Sequence, residues 1–229
     1  SFLGGDDTGT QHGWTVDVYN DKSAHPGETY DDAVTRFIDV ALNTEGPAFN
    51  QFFIMEPHAS FIAPPEYLDS EYYECVDGLP SLPNGIVMSD ERVMQNVTNG
   101  WFTFSLEQQD AIMAYRFCYY GAEVEWTDDG IGRIISALED AGKLEHTLVV
   151  LMGDHGEVMG EEEEGQFGQQ KSLGEEQTNV IGGFYSPCLE PDTHVGMVDI
   201  GDIAPTVLRA LGEPIPDTMT GIPLGDRTE

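Results

Sequence analysis

The stretch from His146 to Glu157 constrains the fold of this chain more than any other part of its sequence. Within it, Leu148–Met152 is an unbroken apolar run with two adjacent valines, which is typical of a strand buried on both faces of a parallel sheet. The run stops at Gly153, and a carboxylate and an imidazole follow at Asp154 and His155. Because ligands bind just beyond the carboxyl ends of strands in open α/β sheets, this pattern predicts an α/β fold with a site at the end of the strand.

Asp154 and His155 are open to two interpretations. Both are good ligands for a divalent cation, and the flanking glycines let the backbone turn tightly around them. An isolated pair of this kind is more often structural, with the aspartate capping the next helix and the histidine lying in an ordinary loop. The surrounding sequence therefore has to decide between a metal site and a turn.

A second short apolar run, Phe52–Met55, predicts another buried strand, and Glu56-Pro57-His58 follows its end. Strand ends that are distant in sequence line one edge of a parallel sheet. We therefore predict that this strand and Leu148–Met152 lie close together in one mostly parallel sheet, with their carboxyl ends pointing the same way. His58 would then face Asp154 across one polar pocket.

Helices are predicted on both sides of these strands. Thr29 can cap a helix that runs to Asn43, and Ser105 forms a capping box with Gln108 at the start of a long helical pattern that ends at Gly142. Their apolar stripes are Ala33, Val34, Phe37, Ile38, Ala41 and Leu42 in the first, and Ile112, Tyr115, Tyr119, Ala122, Trp126, Ile131, Ile134, Ile135 and Leu138 in the second. Gly130 and Gly132 are expected to bend or loosen the middle of the second helix, and Asp199 and Asp202 to cap a helix near the carboxyl end.

Four motifs of this chain are similar to motifs of a known family and follow one another in the same order. They are Thr-Leu-Val-Val-Leu-x-x-Asp-His-Gly-Glu from Thr147, Met-x-Pro-His-Ala from Met55, Phe-Gly-Gln-Gln-Lys-Ser-Leu-Gly-Glu-Glu from Phe167, and Val-Asp-Ile-x-Asp-Ile-Ala-Pro-Thr-Val-Leu from Val198. The chain thereby resembles the sulfatase family of the alkaline phosphatase superfamily. The resemblance implies a mostly parallel sheet flanked by helices and incomplete at its amino-terminal end.

The resemblance also implies roles for four residues. Asp154 and His155 would complete a divalent metal site, which in this family most often holds calcium, although an imidazole ligand also suits softer metals. His58 and Lys171 would bind the ester oxygens of the substrate, and Lys171 can assist the leaving group. The chain departs from the family pattern just beside this lysine. Gln169 stands where a histidine is common, and glutamine cannot carry a proton.

The resemblance covers the later part of a family member. The family opens with a strand that ends in two metal-binding aspartates, followed by a Cys or Ser nucleophile with Pro two and Arg four positions on. None of the cysteines fits this pattern, Ser81 lacks the arginine, and we interpret Asp6-Asp7 as a turn. The sequence therefore predicts one partial domain over 1–229, with a loop-rich lead-in at 1–27, a variable excursion at 62–104 and no nucleophile segment.

The function implied is that of a sulfuric ester hydrolase acting on a small-molecule or saccharide sulfate ester, with this chain inactive alone. Two alternatives stay open. One is a phosphodiesterase or phosphonate monoester hydrolase of the same superfamily, and the other is an inactive sulfatase-like binding module.

Composition excludes some partners and predicts a habitat. Forty-two acidic and nine basic residues give a net charge of −33, which excludes a nucleic-acid surface and disfavours an anionic membrane. Such acidity in a chain with a periodic apolar pattern is expected of a protein from a high-salt cytoplasm, where salt screens the repulsion. No signal peptide or transmembrane run is recognisable, and three widely spaced cysteines make a disulfide framework unexpected.

Overall fold

The computed structural model of this chain describes residues 27–58, 61–68, 79, 81–83, 85–87, 96–97, 99–159, 167–168, 174–187, 189–190 and 197–226. The helices are α1 (Tyr30–Asn43), α2 (Pro65–Leu68), α3 (Leu106–Asp140), α4 (Glu175–Thr178) and α5 (Ile203–Ala210). The strands are β1 (Val149–Met152), β2 (Val158–Met159), β3 (Phe167–Gly168) and β4 (Gly182–Tyr185).

The two long helices begin where the sequence predicts. Thr29 caps α1 in a capping box with Asp32, and Ser105 caps α3 in a capping box with Gln108. In each box the side chain at the cap accepts from a backbone amide one turn on, and the residue there accepts from the backbone of the cap. These reciprocal bonds satisfy amides that have no partner inside the helix.

The main core lies between α1 and α3. Its buried members are Tyr30, Ala33, Val34, Ala63, Ala122 and Trp126. The hydroxyl of Tyr30 donates to the carbonyl of Thr127, and its ring packs edge-on against Trp126. A Cβ on Gly130 would approach the Tyr30 hydroxyl to 2.1 Å, so the glycine is needed for close packing. α3 continues through Gly130 without a break.

Lys143 joins the two helices at their ends. It follows α3, but its ammonium donates to the carbonyls of Ala41, Leu42 and Thr44 at 2.7–3.1 Å, at the carboxyl end of α1. These carbonyls have no acceptor role inside the helix, and a cation is favourable at the negative end of the helix dipole. Lys143 therefore caps the neighbouring helix α1 and not the helix that it follows.

The strand pairings of the described residues are antiparallel. β1 pairs with β4, with Val149 opposite Tyr185 and Met152 opposite Gly182, and β2 pairs with β3. The described part of the chain thus contains no parallel pair, and the predicted mostly parallel sheet is not confirmed. β1 is also less buried than expected, because Leu151 is 38% and Met152 is 39% exposed. β4 turns back along β1 after α4, which explains the antiparallel direction.

The predicted strand at Phe52–Met55 is not formed. These residues make no ladder with another strand of the described part. Phe52 instead stacks on Phe37 and on Tyr30, with ring centroids 4.9 and 6.3 Å apart. An apolar run can be buried against helices as well as in a sheet, and the sequence pattern does not separate the two cases.

The carboxyl-terminal caps agree with the prediction. The Asp199 carboxylate accepts from the Gly201 amide, and the buried Asp202 carboxylate accepts from the amides of Asp199 and Ile222. Both aspartates are therefore structural.

The sequence makes a disulfide framework unexpected, and the structure shows that one cysteine, Cys118, nevertheless forms a disulfide bond. Disulfides persist mainly in oxidising compartments, so this bond weighs against the predicted cytoplasmic location. Within the described ranges, no helix has the length and apolar character needed to cross a membrane.

Candidate functional site

The loop after β1 holds Asp154 and His155 in a defined arrangement. One Asp154 carboxylate oxygen, Oδ1, accepts from the backbone amide of His155 at 3.0 Å. The imidazole Nδ1 of His155 lies 2.9 Å from the carbonyl oxygen of Gly156. Because a carbonyl can only accept, Nδ1 carries the proton, and Nε2 keeps its lone pair when the ring is neutral. Nε2 lies 3.7 Å from the other carboxylate oxygen, Oδ2.

Oδ2 and Nε2 are suitable donors for one divalent cation. A carboxylate and a neutral imidazole are ordinary ligands for divalent ions, and an Nδ1–H bond to a backbone carbonyl fixes the ring as in many metal sites. Both side chains are open to solvent, at 65% exposed for Asp154 and 42% for His155. No cluster of three or more metal-binding side chains occurs among the residues that the structure describes. Those residues therefore contribute a two-donor arrangement.

Backbone contacts fix this loop against α4 and against the residue that precedes β4. The amide of Gly153 donates to the carbonyl of Ile181, and the amide of Gly156 donates to the carbonyl of Gln177, both at 2.9 Å. A Cβ on Gly156 would come within 1.9 Å of the Glu176 carbonyl oxygen. No side chain fits in that gap, so the close approach of the loop to α4 requires glycine at this position.

Lys171 and Gln169 lie outside the described residues, and the role predicted for Lys171 stays a prediction. The residues on either side of this segment are described. Gly168 ends β3 and accepts from the Gln177 side-chain amide at 3.2 Å, and Gly174 directly precedes α4. Gln177 therefore contacts both the loop of Asp154 and the residue from which the Lys171 segment leaves.

His58 lies on an exposed turn, where its backbone amide donates to the carbonyl of Met55 at 2.9 Å. The chain that follows is anchored on α3. Glu123 of that helix is fully buried, and its carboxylate accepts from the amide of Ile62. Burial, together with the negative charge of Glu56, raises the pKa of Glu123 to about 8, although amide bonds from this segment partly oppose the shift.

Sequence reasoning missed two buried charges on α3, Arg116 and Glu123. Arg116 is 2% exposed, and its guanidinium lies near the Glu157 carboxylate. The signal was in the sequence. Arg116 is four positions after Ile112, and Glu123 is four after Tyr119, so both fall on the apolar stripe of the helix. A charge at such a position is buried with a partner or serves a site.

Comparisons with known proteins identify the family. The Sulfatase family profile matches residues 4–213, and the chain belongs to the sulfatase family. It is 35% identical over 107 residues to Arylsulfatase K of Xenopus laevis, a match that covers 46% of this chain and 19% of that protein. The matched part of the chain thus spans about a fifth of the length of this curated relative.

Two solved structures share the fold. The phosphonate monoester hydrolase SpPMH from Silicibacter pomeroyi superposes with a TM-score of 0.62 at 21% identity, over 86% of this chain and 40% of the other. A protein solved with its substrate D-glucosamine-2-N,6-O-disulfate superposes with a TM-score of 0.56 at 18% identity, over 85% and 51%. At these identities the likeness shows a shared fold and nothing finer.

Proposed function

We propose that this protein is a sulfuric ester hydrolase in which Asp154 and His155 hold a divalent cation and His58 and Lys171 bind the charged ester group. Family membership supports the class of reaction. The finer assignment is carried by one observation. The Gly156 carbonyl accepts a hydrogen bond from Nδ1–H of His155, which leaves the lone pair of Nε2 available to a metal beside the Asp154 carboxylate.

The cation, when bound, would offset the negative charge of the ester oxygens. Calcium is the first candidate from the family resemblance. The imidazole donor also suits manganese or zinc, so metal identity is left to experiment. The protein's own contribution is to keep Oδ2 and Nε2 aimed at one point, which the amide bonds from Gly153 and Gly156 support.

Lys171 is proposed to stabilise charge on the leaving oxygen. An ammonium group aimed at the developing charge lowers the barrier, provided it is held there before the reaction. The proposal is supported by the two ends of its segment, Gly168 and Gly174, because Gln177 ties Gly168 to the loop that carries Asp154. His58 is proposed to contact the ester from the side of the 52–63 segment.

The substrate proposed is a small-molecule or saccharide sulfate ester. The name of the Xenopus relative and the disulfated glucosamine bound to one structural neighbour support this class. We also propose a high-salt working environment, which the net charge of −33 supports.

A phosphonate monoester hydrolase is the second candidate, favoured by the fold likeness to SpPMH. A non-catalytic sulfatase-like module is the third candidate. It is supported by Gln169, which stands where the family often has a histidine, and by Gly174, which stands where the family has a tyrosine.

The discriminating assay is the turnover of 4-nitrophenyl sulfate and of a 4-nitrophenyl phosphonate monoester by the gene's full-length product in molar KCl. Sulfate turnover that is lost in Lys171→Met and in Asp154→Asn is expected. Asp140→Asn is the matched control, since Asp140 is an exposed aspartate at the end of α3. Turnover of the phosphonate ester alone would establish the second candidate. Cation binding without turnover of either ester would establish the third.

A further inference from the structure

The guanidinium of Arg116 lies where three separate chain segments meet. Its carbon is 4.5 Å from the centroid of the Phe167 ring and 5.5 Å from that of the Phe61 ring. Its Nη2 is 3.7 Å from a carboxylate oxygen of Glu157, which is 8% exposed in its side chain. Phe61 and Phe167 are buried as well. One buried cation therefore contacts all three segments.

Each contacted residue is a near neighbour in sequence of a proposed site residue. Phe61 comes three positions after His58, Glu157 two positions after His155, and Phe167 four positions before Lys171. The three segments are far apart along the chain, and the strands that carry two of them are only two residues long. Short ladders alone hold a segment weakly, so a side-chain anchor common to all three has a large effect on their relative positions.

Arginine suits this place for two physical reasons. Its guanidinium stays charged in proteins and is planar, so its faces can lie on aromatic rings while its nitrogens face a carboxylate. Both ring distances lie within the range of cation–π attraction. The opposite charge of Glu157 offsets the cost of burying the cation. A lysine would keep the charge but could not cover two rings.

We propose that Arg116 is a positioning residue, which holds the segments of Phe61, Glu157 and Phe167 together on α3 and thereby positions His58, Asp154 and His155. That Arg116 positions site residues rests on the proposed function, whereas its contacts with the three segments do not. Arg116 does not touch the reacting groups in this proposal. It acts through Glu157, Phe61 and Phe167.

The experiment is hydrogen exchange of the whole chain, comparing wild type with Arg116→Met and Arg116→Lys. The reporters are the Ile62 amide, the Gly153 and Gly156 amides, and the ladder between β2 and β3. Arg36→Met is the matched control, because it breaks another partly buried ion pair, Arg36–Glu28, away from these segments.

In Arg116→Met, exchange should become about tenfold faster or more in all three segments, while α1 keeps its protection. In Arg116→Lys, the loop at Gly153–Gly156 should keep its protection, because the charge still faces Glu157. The segments of Phe61 and Phe167 should loosen, because their rings lose the planar group. Arg36→Met should leave all three unchanged. Faster exchange in one segment only, or equally throughout α1 and α3, would overturn the proposal.

Two milder substitutions keep the test valid if Arg116→Met does not fold. Glu157→Gln should loosen the Gly153–Gly156 loop alone, and Phe167→Leu the β2–β3 ladder alone. If either substitution speeded exchange in both the Gly153–Gly156 loop and the β2–β3 ladder, the two segments would not be attached to Arg116 independently of each other.

Calcium titration links the anchor to the site. Arg116→Met should weaken Ca²⁺ affinity by about tenfold, and Arg116→Lys should restore it, since the loop is again held by charge. Unchanged affinity in Arg116→Met would confine Arg116 to a structural role. If wild type binds no Ca²⁺, Mn²⁺ or Zn²⁺, the cation part of the proposed function fails, while the exchange pattern still decides the anchoring role.

Discussion

The α1–α3 helix pair and the β1–β4 strand pair are built in opposite ways. Ala33, Val34 and Ala122 in the helix pair are fully buried, whereas Leu151 and Met152 in β1 are more than one third exposed. The helices are fixed by side-chain packing and capping boxes, and the strands by backbone hydrogen bonds. Stability in such a molecule is unequal, with loops that bind ligands drawn from the less stable part. The comparison therefore predicts a rigid helical scaffold beside a more adaptable site.

The largest expected effect is a difference between the two regions in the cost of truncating a side chain. Trp126→Ala removes a buried ring that packs on Tyr30 and should lower the free energy of unfolding by about 3–5 kcal/mol. Leu151→Ala in β1 should cost about 1 kcal/mol or less, because 38% of Leu151 is already exposed. Chemical denaturation of both variants in molar KCl measures the difference. Equal losses in the free energy of unfolding would contradict the difference between the helical region and the strand pair.

The second effect is a pH dependence located in the helical region. The pKa of Glu123 is raised from 4.5 to about 8, so this group is protonated in the folded protein over a range where it is ionised in the unfolded chain. Its contribution to stability is therefore complete below pH 4.5 and is lost as the pH rises to about 8, by up to about 1.4 kcal/mol per pH unit.

Glu123→Gln keeps an acceptor for the Ile62 amide and should abolish this contribution to the slope. The control is Glu139→Gln, an exposed glutamate on the same helix, which should keep the slope of wild type. A slope that persists in Glu123→Gln would show that another group is responsible.

The third effect is a gain in stability with salt, expected in both regions. With a net charge of −33, raising KCl from 0.1 to about 2 M should increase the free energy of unfolding by about 2 kcal/mol or more, or roughly 5 °C in Tm. Thermal melts at a series of KCl concentrations provide the measurement. A Tm that does not change with salt would remove the inference of a high-salt habitat.

The smallest effect concerns the contact between Lys143, which follows α3, and the carboxyl end of α1. Lys143→Met keeps the aliphatic stem but leaves three carbonyls at the end of α1 without their donor, which should cost about 1–2 kcal/mol. Faster exchange should be confined to the last turn of α1. If the whole of α1 loosened instead, Lys143 would have a wider role than a cap.

The parts of the fold that follow from local rules were predictable. The capping boxes at Thr29 and Ser105 determine where α1 and α3 begin, and the apolar stripe within each helix determines which face is buried. Both signals depend only on residues that are close in sequence. The conformation of Phe52–Met55 was not predictable in the same way, because a short apolar run can be buried either in a sheet or against helices. Cys118 shows a similar limit, since cysteine spacing does not determine pairing.

For the proposed site, the sequence predicts Asp154 and His155, which are adjacent in the chain and need no tertiary information to meet, and their role as metal ligands stays a prediction. The tautomer of His155 depends on the Gly156 carbonyl and becomes visible only in the structure. Arg116 required tertiary information too, because its three partners come from different segments. For His58 and Lys171 the assignment to one pocket remains a prediction.

Cation binding by the β1 loop tests the central claim most directly. Calorimetric titration of the chain with Ca²⁺, Mn²⁺ and Zn²⁺ compares two site variants, Asp154→Asn and His155→Gln, with two matched controls, Asp140→Asn and His146→Gln, at exposed positions. We expect at least one cation to bind, with an affinity reduced about tenfold or more in both site variants and unchanged in both controls. Equal affinity in all four variants, or no binding by wild type, would contradict the assignment of Asp154 and His155 as metal ligands.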